Sequence, residues 1–119
     1  MKEDVVFFRR SGELCAQLFS EIDHHVAKRM RDAIDVELFK VKPTRLVLDF
    51  GGVTFMDSSG IGLILGRVES SRAIGCEVRV EGLSPSLMKL VQLSGLQRVR
   101  GLSISAGDSG LCKSLKEGR

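Results

Sequence analysis

Apolar residues fall in short runs whose spacing alternates between strand-like and helical. Val5 to Arg9 and Leu14 to Phe19 read as strands, and Arg10-Ser11-Gly12-Glu13 between them predicts a hairpin turn. Ile22 and Asp23 open a helix with Asp23 as N-cap. Ala27, Met30, Ile34, Leu38 and Val41 form its apolar stripe, and Pro43 stops it. Leu46-Val47-Leu48-Asp49-Phe50, bounded by Pro43 and by Gly51-Gly52, predicts an interior strand. Ile61, Ile64, Leu65 and Val68 then recur at helical spacing in a helix that starts at Ser58 and closes at Gly75. Cys76 to Val80 alternates as a strand should. Ser84 caps the next helix with Pro85 at its first position. Leu87, Leu90 and Val91 are its core face, and Ser94-Gly95 ends it. Val99 to Ile104 is a weaker strand. Asp108 caps a last short helix with Leu111, Cys112 and Leu115 inward.

The resulting order, β-β-α-β-α-β-α-β-α, defines an α/β fold with a mixed sheet of about five strands and four helices. The strand–helix–strand units are parallel and the opening hairpin adds one antiparallel strand. At 119 residues the chain is expected to form one domain over 1–119. A 43% hydrophobic and 28% charged composition is that of a folded protein. The net charge of +3 is spread among interspersed acids and bases, which argues against nucleic acid and an anionic membrane as partners. Lys28-Arg29-Met30-Arg31, the densest basic stretch, is followed by Asp32, Asp35 and Glu37 and reads as the solvated face of a helix. No apolar stretch approaches spanning length and the first residues form no signal region, so a cytoplasmic location is expected. Cys15, Cys76 and Cys112 are odd in number and lack a C-x-x-C pair. They read as small apolar residues in a reducing compartment, not as a disulfide set or metal site.

The helix after Ser58 divides into faces at about 100° per residue. Ile61, Ile64, Leu65 and Val68 form the expected core side, Gly62, Gly66, Ser70 and Ala73 a stripe of small residues, and Leu63 and Arg67 lie toward solvent. Two glycines inside a helix cost roughly 1 kcal/mol each against alanine and need a reason. Close packing within the fold is one reason. Close approach by another protein, with Leu63 as an exposed apolar contact, is the other.

Phe55-Met56-Asp57-Ser58-Ser59-Gly60 carries the candidate chemistry. A strand turns there into a helix, whose first N–H groups are unpaired and whose dipole is positive, so an anion on Ser58 or Ser59 is favoured. The same residues also serve as an ordinary capping turn. A nucleophilic serine lacks its Gly-x-Ser-x-Gly setting and any base near Ser58. A phosphate loop would need the lysine of G-x-x-x-x-G-K-[ST]. In Asp23-His24-His25 the adjacent histidines point about 100° apart on a helix, which disfavours chelation of one ion. Asp23 is first a cap. Its helix start is also expected beside the Ser58 turn, at the same strand ends.

These segments resemble the STAS-domain anti-sigma factor antagonists, in particular the branch serving the sporulation sigma-F switch of endospore-forming bacteria. The resemblance runs over nearly the whole chain. It rests on Glu21-Ile22-Asp23-His24-His25, on Phe55 to Gly62 continuing through Ile64-Leu65-Gly66-Arg67, on Leu83-Ser84-Pro85 and on Leu93-Ser94-Gly95-Leu96. One departure is Ser20, where the family usually has glycine.

The resemblance implies a phosphoprotein regulator without cofactor, metal or enzyme activity of its own, phosphorylated on Ser58 by the anti-sigma factor, which is a serine kinase. Unphosphorylated antagonist binds that kinase and frees sigma F; a PP2C-type phosphatase resets the phosphorylated form. Asp23, His24 and His25, with Asp57, Ser59, Gly60, Gly62, Leu63, Gly66 and Arg67, are implied to face the kinase. The chain is expected to be monomeric when free. Alternatives are an antagonist for a stress-response sigma factor, a STAS subunit of another assembly such as a lipid transporter, and a nucleotide hydrolase using Asp23, His24 and Ser58.

Overall fold

Alternation in the first runs and turn chemistry at Ser11-Gly12 produce an antiparallel hairpin of β1 (Val5–Arg10) and β2 (Glu13–Ile22), with Gly12 at φ +80°. The computed structural model describes residues 4–105. After the hairpin come α1 (His24–Val41), β3 (Arg45–Met56), α2 (Ser58–Arg72), β4 (Glu77–Glu81), α3 (Pro85–Ser94), a 3-10 turn (Leu96–Arg98) and β5 (Leu102–Ile104). The sheet order is β1-β2-β3-β4-β5, antiparallel in its first pair and parallel in the rest. The expected mixed five-stranded sheet is present. Three α-helices lie among the described residues; the expected fourth, capped by Asp108, falls outside them.

One face of the sheet carries the core. Leu14, Ala16 and Leu18 of β2, Leu46, Leu48 and Phe50 of β3, and Val78 and Val80 of β4 pack with Met30, Ile34 and Leu38 of α1, Ile64 and Val68 of α2, and Leu87 and Val91 of α3. On the other face Cys15, Val47 and Phe8 form a small second cluster. Cys15 is bonded in a disulfide, which corrects the expectation of three separate thiols; Cys76 is a free, buried thiol whose pKa burial raises. No helix among the described residues is long and apolar enough to cross a membrane.

The helix punctuation follows local chemistry. The Asp23 side chain accepts the Val26 N–H at 2.9 Å, and Ser84 accepts the Leu87 N–H with Pro85 behind it. At Gly75, φ +69°, the Cys76 N–H reaches the Ser71 carbonyl and the Gly75 N–H the Arg72 carbonyl, which closes α2.

β3 departs from the expected boundary. It runs through Gly51-Gly52 to Met56, because β2 lengthens to Ile22 and pairs with it to its end. The register shifts between Gln17 and Phe19 and again between Ser20 and Glu21. Gly52 sits under the Phe19 ring: an added Cβ would lie 2.5 Å from Phe19 Cδ1 and 2.8 Å from the Leu18 carbonyl oxygen. Ser20 lies at φ +79°, a conformation glycine adopts freely and serine only with strain. A glycine at this position would be free of that strain.

Candidate partner-docking site

Two helices start side by side at the carboxyl edge of the sheet. β2 and β3 are parallel neighbours with Ile22 opposite Met56, so the caps that follow, Asp23 and Asp57, stand next to one another. The Asp57 N–H donates to the Ile22 carbonyl at 3.3 Å, which ties the second cap to the end of the neighbouring strand. The Asp57 carboxylate accepts the Ser59 N–H at 2.8 Å. Ser58 is the first residue of α2 and is exposed. Asp23, His24 and His25 are exposed too, and the two imidazole rings meet edge to face with centroids 5.6 Å apart. The Val26 N–H holds the Asp23 carboxyl below its ordinary value against a smaller opposing effect of burial. Among the described residues no group of three or more His, Cys, Asp or Glu gathers in a way that could hold a metal ion.

The orientation of α2 is corrected by the structure. Leu63 and Arg67, expected toward solvent, are each only 4% exposed, while Leu65, expected in the core, is 39% exposed. The cause is α1, which packs beside α2. Asp35 of α1 lies 3.0 Å from Arg67 Nε and draws that face of α2 inward. Burial lowers the Arg67 pKa and raises that of Asp35, the ion pair opposing both shifts. Leu63 is therefore not the exposed apolar contact at the serine. Phe55, at 55% exposure on the last turn-ward residues of β3, is a large apolar side chain at that edge. Val53 and Met56 are both buried in the main core, so alternation is broken at this end of β3 and did not foretell the exposure of Phe55.

Gly60 is buried, and a Cβ there would meet Met56 Sδ at 2.5 Å, so its role lies in the strand-to-helix junction. Six of the candidates converge on a groove of about 390 Å³ between α1 and α2, whereas Asp23, His25, Asp57 and Ser58 do not line it. His24, Ser59, Gly62, Leu63, Gly66 and Arg67 line it, joined by Ala27, Lys28 and Arg31. Lys28 and Arg31 belong to the basic stretch read as a plain solvated face. The cap of Asp57 and the exposed Ser58 stand at the α2 start next to Ser59, at the end of this groove.

The family model for the STAS domain matches residues 3–106, and the chain belongs to that family. It is 38% identical over 80 residues to the anti-sigma F factor antagonist of Lysinibacillus sphaericus, covering 67% of this chain and 68% of the relative. It is 32% identical over 80 residues to the anti-sigma-B factor antagonist of Listeria monocytogenes, covering 66% of this chain and 68% of the relative. Among solved structures it is similar to the anti-sigma factor antagonist SpoIIAA at 27% identity. In the unphosphorylated form of that protein 97% of each chain is covered with a TM-score of 0.76. In the phosphorylated form from Bacillus the coverage is 97% of this chain and 99% of that one, with a TM-score of 0.67.

Proposed function

We propose that the chain is an anti-sigma factor antagonist in a partner switch, with Ser58 as the switch residue. Unphosphorylated, it binds an anti-sigma factor serine kinase in the cytoplasm and frees the sporulation sigma factor F that the kinase holds. Phosphorylation of Ser58 by that kinase ends the binding, and a PP2C-type phosphatase restores it. The observation that carries this reading is the exposed position of Ser58 at the start of α2, beside the Asp23 cap on the same sheet edge. The relative named for sigma F and the phosphorylated form in which SpoIIAA was solved support it.

The energetics are the right size. Phosphate adds about −1.5 to −2 charge. The helix dipole favours it, but the Ser59 amide is already taken by Asp57, so the group projects outward next to a carboxylate. Burying it unpaired in an interface costs several kcal/mol, and about 5.5 kcal/mol moves a two-state equilibrium from 99:1 to 1:99. Exclusion by charge and bulk needs no refolding of the antagonist.

Intact-mass and peptide mapping with ATP and the kinase tests this. One phosphate on Ser58 is expected, absent in Ser58→Ala, and Ser58→Asp should bind the kinase at least tenfold more weakly. No phosphate despite an active kinase would sink the reading. The relative named for sigma B favours a second version, release of a stress-response sigma factor. Reconstitution with each sigma factor separates the two.

A further inference from the structure

The face of the sheet turned away from the main core is dry where an open face would be wet. Cys15, Val47, Arg79 and Ser103 stand in one row across β2, β3, β4 and β5, on the side opposite Leu14, Leu46 and Val78. Cys15 and Val47 are fully buried and so is Glu81, while Asp49 keeps 7% exposure. All three helices among the described residues serve the main core, and none contributes to the cluster of Cys15, Val47 and Phe8. Residues 1–3 are too few to cover side chains on three strands, which leaves 106–119, the other segment outside the described residues. That segment has matching chemistry. Leu111, Cys112 and Leu115 share one side at helical spacing, and Lys113, Lys116 and Arg119 bring cations to a face that carries Asp49 and Glu81.

Cys15 is bonded in a disulfide, and Cys76 is a free thiol in the main core. The sequence holds one further cysteine, Cys112. Ser105 is tied to the sheet, its N–H donating to the Val80 carbonyl at 2.9 Å. From there the stretch to Cys112 reaches about 23 Å when extended, and the three strand spacings back to β2 come to about 14 Å. We propose that Cys15 and Cys112 form a redox staple that holds 106–119 across the second face of the sheet, and that reduction frees the segment and bares that face. In the reducing cytoplasm proposed above, a protein disulfide is transient and suits sensing. The step is thiol–disulfide exchange with a low-molecular-weight thiol. Because Cys15 is sealed, the entering thiolate attacks the Cys112 sulfur, and Cys15 leaves as a thiolate that takes up a proton. A second small thiol then displaces the first from Cys112. Two small thiols are thereby oxidised to one disulfide, and the staple is reduced to two thiols. The loop it closes spans most of the chain, where a cross-link restricts the unfolded state most.

Peptide mapping of the full chain, equilibrated with a small-molecule disulfide and alkylated after unfolding, decides the linkage. The Cys15 and Cys112 peptides should run as one joined species with Cys76 alone alkylated, and all three cysteines should alkylate once a small thiol is added. Limited trypsin digestion reads the conformational half. Cutting after Lys113 and Lys116 should quicken at least tenfold on reduction, and Cys112→Ser should be cut that fast without it. Added thiol should also lower the urea midpoint of the wild type and leave that of Cys112→Ser unmoved. Absence of the Cys15–Cys112 link overturns the proposal, as does a link between two copies, seen as a dimer on a non-reducing gel. If the link is present but neither reduction nor Cys112→Ser changes the cutting rate, the bond does not hold the segment and the redox switch is overturned.

Discussion

Two pairs of glycines, separated by a few residues, answer to different demands. Gly52 lies inside β3 and Gly60 in the first turn of α2, and an added Cβ would collide with Phe19 and the Leu18 carbonyl at the first and with Met56 at the second. Gly62 and Gly66, on the outer stripe of α2, face open space. The first pair is required by the chain's own packing; the second is not. A similar contrast separates Leu63 and Leu65, two leucines of one helix. α1 covers the first and leaves the second exposed.

The sharpest way to break the comparison is Gly52→Val. Its Cβ would stand 2.8 Å from a backbone oxygen that cannot swing away, and we expect a loss of about 3 kcal/mol in denaturant unfolding. A neutral result would remove the distinction between the pairs. Ser20 is the mirror case, a residue with a side chain where the backbone asks for none. Ser20→Gly should relieve strain and raise stability by about 1 kcal/mol. Gly66→Ala should stabilise by somewhat less, about 0.5–1 kcal/mol, because the helix gains propensity without a clash. Destabilisation there would mean that the space is not open.

The smallest expected effect concerns the α1 start. Hydrogen bonding to Val26 holds the Asp23 carboxyl below its ordinary value. The cap is therefore fully present above the ordinary carboxylate range and is lost as the pH falls through that depressed value. The protection factor of the Val26 amide, its slowing relative to intrinsic exchange at the same pH, should fall on acidification in the wild type, and that fall should vanish in Asp23→Asn, which keeps a capping oxygen.

Much of the fold was legible because its signals are local. Asp23, Ser84-Pro85, Gly75 and Gly95 start or stop helices through bonds within a few residues, and the α1 stripe of Ala27, Met30, Ile34 and Leu38 is buried as its spacing implied. The end of β3 was not legible. Gly51-Gly52 looks like a strand stop, and pairing with an extended β2 overrides it. The Ser58 turn could be read from its motif, whereas the groove beside it could not. Its second wall comes from α1, and the pairing of Arg67 with Asp35 spans elements distant in the chain.

By itself the sequence determined the order of elements, the capped helix starts and the exposed serine at the second of them, since propensity, capping and alternation act over one or two turns. Which face of α2 is buried, why Ser20 carries strain, and that a basic groove with a glycine floor opens next to Ser58 were decided by tertiary packing. α2 is apolar or small on most of its circumference, so its own pattern leaves several orientations nearly equal in energy. Only the neighbouring helix, with its carboxylate at Asp35, selects among them.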